Sequence, residues 1–128
     1  MKDFKTAFFF LRLPMAVSLA GHGLVRLPKL AVFAEGMASS MENSVLPGGL
    51  ITAFGYVLPV VEAVLGIALL AGFKTRYTLY ASLALMSILV LGSSTIESWG
   101  AVQAQLVHGI YLGLLLWYFE KYTPDNHG

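Results

Sequence analysis

Between Leu50 and Gly72 the chain reads LITAFGYVLPVVEAVLGIALLAG, an apolar run long enough to cross a hydrocarbon core and interrupted by one charge, Glu62. At a rise of 1.5 Å per residue, Glu62 lies about 16 Å from the ends of that run, close to where a bilayer midplane would fall. An ionised carboxylate at that depth costs about 3 kcal/mol on insertion scales, so the fold, or something the fold binds, must compensate it. Two readings are open: a carboxyl group serving a functional site, or a protonated acid that hydrogen-bonds a neighbouring helix.

Composition points the same way. Hydrophobic residues make up 57% of the chain and charged residues 12%, with a mean hydropathy of +0.74. Soluble domains carry about 25% charged residues, and a chain this short cannot hide so much apolar surface from water. The expected solvent is a lipid bilayer. Four apolar segments, about 4–24, 50–72, 77–95 and 101–119, predict a single all-α domain over 1–128. It is a bundle of four transmembrane helices, with a polar C-terminal tail over 120–128. The net charge of +1 and the lack of a basic run exclude a nucleic-acid surface. The absence of cysteine excludes disulfides, thiol catalysis and thiolate-held iron–sulfur clusters.

The connection from Val25 to Gly49 is too polar to span a membrane and too apolar for a free linker, so it predicts a short interfacial segment between the first two helices. Its Phe33, Met37 and Met41 form a candidate docking face for other membrane subunits. The later connections are tight: Gly72 signals a helix C-cap, and Glu97 to Gly100 form the last turn. Lys2 and Lys5 precede an apolar run as in a signal peptide. That run continues to Leu24 without a prompt small-residue cleavage site, so a retained first helix is expected. Lys2, Lys5, Lys74, Arg76 and Lys121 fall on one side of a four-span arrangement, and Arg26 and Lys29 on the other. This asymmetry predicts a multi-pass protein of a bacterial or archaeal cell (inner) membrane with both termini cytoplasmic.

Helical spacing defines the candidate site. Gly55, Pro59, Glu62 and Gly66 recur at i, i+4, i+7 and i+11 and share one face, a notch with a carboxyl at its edge. Such a notch admits a ligand headgroup, or it lets another helix approach closely. His108 falls at nearly the depth of Glu62, with Gln105 one turn earlier on its face. Glu62 and His108 could accept protons from a quinol hydroxyl, or could tie two helices together by a hydrogen bond. Arg12 either snorkels toward the inner surface or reaches Glu62 as an ion-pair partner. His22, between Gly21 and Gly23, is a further ligand-binding candidate. Its estimated depth differs from that of His108 by most of two turns, which argues against a shared haem iron, and His127 sits in the polar tail. No metal site is assigned.

Arg12, the GHGLVRLPKL segment (Gly21 to Leu30) and EAVLGIALLAGFKTR (Glu62 to Arg76) together resemble the DoxX family of small four-helix membrane proteins over nearly the whole chain. Glu62, Gly66, Gly72, Thr75 and Arg76 sit where that family's glutamate, glycines and Thr-Arg pair are expected. The resemblance implies a redox-associated membrane subunit and carries no transferable catalytic residue. The favoured expectation is therefore a redox-associated integral membrane subunit that binds a quinone or quinol headgroup between helices. Its partners are the bilayer and either other membrane subunits or further copies of itself. The rivals are a non-catalytic assembly or stability subunit of a larger complex, and a small-solute or proton pathway formed by an oligomer.

Overall fold

The computed structural model describes residues 4–123, so Lys2, His127 and the end of the expected tail lie outside the described residues. Among the described residues the chain forms five α-helices and no strand: α1 (Phe4–Arg26), α2 (Leu30–Ser40), α3 (Gly48–Ala71), α4 (Thr75–Thr95) and α5 (Trp99–Tyr122). Four stretches are long and apolar enough to cross a bilayer, namely Phe4–Ser40, α3, α4 and α5. The chain is an all-α, multi-pass integral membrane protein with the short helical segment α2 between the first two long helices.

The punctuation of the sequence explains most of the helix ends. Pro28 has no N–H to donate to Leu24, so α1 closes at Arg26 in a 3-10 turn, Leu27–Lys29, before α2 begins. α3 begins after Pro47, whose extended backbone suits the residue before a helix, and ends at Gly72 in the left-handed conformation (φ +75°). There the Phe73 N–H donates to Ala68 O (2.9 Å) and the Gly72 N–H to Leu69 O (3.2 Å), the paired bonds of a Schellman motif. α5 exceeds its expected bounds at both ends, and the tail expected from residue 120 begins as its last turn.

The bundle is closest at the seam of α1 and α3. A Cβ on Gly23 would collide with the backbone of Pro59 and Ala63, and one on Gly66 with the backbone of Ala20. α2 continues this seam: a Cβ on Gly55 would stand 2.8 Å from the Ala34 Cα. At the other end, Phe4 and Phe8 of α1 stack with Tyr118 of α5 and meet Phe119 at a tilt, with ring centroids 5.3 Å apart for Phe8 and Phe119. α4 and α5 are joined at one end by the Arg76–Glu120 ion pair (2.6 Å) and nearer the other by Gln105 donating to Ser93 Oγ (2.9 Å). Phe33 and Met37, expected on an outward docking face, pack instead against the core. Met41 likewise turns inward, beside Gly92 of α4. α2 turns its apolar side into the bundle because α1, α3 and α4 leave a space there that its side chains line.

Candidate functional site

That space is a cavity of about 860 Å³ bounded by α1, α2, α3, α4 and α5. Most of its wall is apolar, from side chains such as Phe33, Phe54, Leu58 and Met86. The polar groups are few: His22, Arg26, Glu62, Gln105 and His108 bring the chemistry, with serines at the rim.

Glu62 is buried, and its Oε1 accepts a hydrogen bond from Arg26 Nη1 at 3.3 Å as an ion pair. This partner corrects the second of the two readings of Arg12, the ion pair with Glu62. Arg12 instead donates through Nε to Leu69 O (2.7 Å) and through Nη2 to Leu70 O (3.2 Å), two carbonyls at the end of α3. Those carbonyls lack full intrahelical partners and carry the negative end of the helix dipole, so a guanidinium is well placed there. The sequence alone places Arg26 in an outer connection. α1 in fact runs two residues beyond Leu24, which puts Ser18, His22 and Arg26 at i, i+4 and i+8 on one helical face. That stripe was the signal that could have found the pair. The Arg26 guanidinium also lies over the Phe33 ring, 4.4 Å from its centroid, and so bridges α3 to α2.

Gly55, Pro59 and Gly66 do not line the cavity. They share a face with Glu62, but Ala34, Gly23 and Ala20 fill the notch in front of them, so the small residues serve helix packing. The open space adjoins Glu62 on another side.

The two histidines meet. Their rings lie 6.2 Å apart by centroid and stand edge to face at 84°. Counting rises along the axes placed them most of two turns apart because it ignored side-chain direction. Side chains lean toward the N-terminus of their own helix. α1 and α5 run in opposite directions, so His22 and His108 lean toward each other. The hydrogen bonds record this lean: His22 Nδ1 lies 2.6 Å from Ser18 O, and His108 Nδ1 lies 2.9 Å from Ala104 O, each four residues earlier. A carbonyl only accepts, so in each ring Nδ1 carries a proton, and in the neutral form of the ring Nε2 is then a lone pair. Ser18 Oγ, 3.2 Å from His108 Nε2, donates to it. Gln105, expected beside Glu62, uses its Nε2 on Ser93 and leaves Oε1 buried without a hydrogen bond among the described residues. Among the described residues, no group of three or more carboxylate or imidazole side chains is gathered as a metal ion would need.

Residues 5–101, most of the chain, match the family model described as methylamine utilisation protein MauE. No curated protein and no solved structure matches the chain. The match corrects the resemblance to the DoxX family. The residues that carried that resemblance close the bundle: Gly66 meets Ala20, Gly72 ends α3, and Arg12 caps it. Such devices suit any small bundle of short-looped membrane helices and do not distinguish one family from another.

Proposed function

This chain belongs to the methylamine utilisation protein MauE family, and from that premise we propose that it is a membrane component holding the headgroup of a lipid-soluble redox carrier, a quinone or its quinol, in the cavity beside Glu62. The family is named for methylamine utilisation, and the chain is read as the part of such a system that meets the bilayer. The observation that carries the ligand reading is the cavity itself. Its volume of about 860 Å³ falls within the range of small-molecule sites, and its wall is apolar with a few convergent polar groups. A ligand that reaches it from the bilayer needs a large apolar body and a polar head. In this reading the head sits among Arg26, Glu62 and His22, and the body lies along Phe33, Phe54 and Met86.

The orientation reading rests on charge. Arg26 and Lys29 stand at one end, against Lys5, Lys74, Arg76 and Lys121 at the opposite end. Both termini are accordingly read as cytoplasmic.

The test is extraction of the full chain in mild detergent, followed by mass spectrometry of bound lipids. Co-purified quinone at near-stoichiometric level is expected, and Met86→Trp, which fills the wall, should abolish it. Quinone no richer than in a control membrane protein of similar size would remove the reading.

A further inference from the structure

The polar wall of the cavity leaves acceptors open, and those acceptors select among ligands. Among the described residues, His22 Nε2 is a lone pair with no partner, because Nδ1 holds the ring's proton against Ser18 O at 2.6 Å. Glu62 Oε1 takes Arg26, while its other oxygen accepts no hydrogen bond among the described residues. Gln105 Oε1 is buried and unpartnered. Three acceptors therefore border the same space. His108 adds no fourth, since Ser18 donates to its Nε2 at 3.2 Å and Ala104 O takes its Nδ1 proton. The donors on offer are the remaining N–H groups of Arg26, whose plane is held over Phe33, the second Nε2 hydrogen of Gln105 and the hydroxyl of Ser93.

A quinone head carries only carbonyl acceptors and can answer none of those three lone pairs. A quinol has the same ring and nearly the same size but carries two O–H donors. An acceptor left unsatisfied once a ligand has displaced the water around it is a penalty, whereas a satisfied one adds a net hydrogen bond. We propose that the cavity is a quinol site: it takes the reduced, hydrogen-bond-donating form in preference to the quinone, with one hydroxyl donating to His22 Nε2 and the other to the free oxygen of Glu62. This rests on the quinone reading above and adds the redox state that is held. It also moves the ligand-facing imidazole from His108 to His22. His108 becomes a positioning residue, held by Ser18 with its ring against His22.

The experiment uses the full chain in lipid nanodiscs, titrated with a decyl-substituted benzoquinone and with the same compound held electrochemically as the quinol, without oxygen. Binding is read by quenching of Trp99 and Trp117 or by calorimetry. The quinol is expected to bind about tenfold more tightly, the effect of one to two net hydrogen bonds. That ratio raises the midpoint potential of the bound couple by about 30 mV. His22→Phe keeps an aromatic ring and removes Nε2. It should cut the quinol's advantage to about threefold, the share left to Glu62, and leave the quinone unchanged. Ser18→Ala frees His108 Nε2 and should keep or enlarge the preference. Equal or tighter binding of the quinone overturns the inference while leaving the quinone reading intact. So does a preference that survives both His22→Phe and Glu62→Gln. Binding of neither form overturns both. The comparison on the unmodified protein decides the matter even if a variant does not accumulate.

Discussion

Two helix faces in this protein are lined with small residues, and only one of them is used for packing. On α3, Gly55 and Gly66 flank Glu62, and the opposing helices come so close that no Cβ could be added to either glycine. On α5, Gly109 and Gly113 stand four residues apart on one face, yet a Cβ on either would meet nothing within 4 Å. Beside Gly109 the α4–α5 interface holds a gap of about 420 Å³ lined by Leu83, Ser87 and Leu106 among others. A small-residue spacing permits close approach, and what stands opposite decides whether it happens. Opposite α3 stand Gly23, Ala20 and Ala34, small residues in matching register. Beside Gly109, α4 lines the gap with the larger Leu83 and Met86.

Gly66→Leu attacks the tight face most directly. Its side chain has to enter the backbone of Ala20, and neither helix can retreat without opening the whole seam. A loss of about 3 kcal/mol or more is expected, at the upper end of overpacking, seen as aggregation in fluorescence-detected size exclusion. Normal yield and thermal midpoint would mean that the seam is looser than described. Arg26→Ala probes the same face at its charged point. It leaves Glu62 buried without its partner, and because Arg26 is about a third exposed the loss is smaller, about 2 kcal/mol. Arg26→Ala with Glu62→Leu should recover most of that loss. A double variant no better than the single one would show that the ion pair is not what holds α1 to α3. The smallest effect is expected on the open face. Gly113→Ala should change stability by less than about 1 kcal/mol, and in the stabilising direction, through helix propensity. A large loss there would reveal a tight contact that the isolated chain does not show.

The sequence made the helices legible because apolar length and Gly/Pro punctuation are local properties. Leu50 to Gly72 was read to within two residues of α3, and the stop at Gly72 is a left-handed turn that a single residue specifies. The site was less legible because it depends on where side chains travel from their backbones. Arg26 was missed when the first helix was cut at Leu24, on the expectation that a charge marks a membrane surface; here a buried acid receives that charge. The contact of His22 with His108 was missed because axial counting assigns each residue the depth of its Cα. An arginine near the end of a helix can snorkel outward or cap a neighbour, and Arg12 caps α3 because the chain reverses at Gly72 beside it. Each of these is a relation between segments, which no window along one segment contains.

The Arg26–Glu62 bridge also bears on how the protein is made. α3 alone would present a bare carboxylate to lipid, and α1 alone would present a guanidinium near its end, each costing about 3 kcal/mol at the bilayer centre. Joined, the two charges cancel before either helix has to face the acyl chains by itself. The polar stretch between them is long enough to fold back as α2 and deliver α1 against α3. A hairpin of α1 and α3 that enters the bilayer together, with α2 between them, brings this pair in with no net charge, whereas either helix alone carries one.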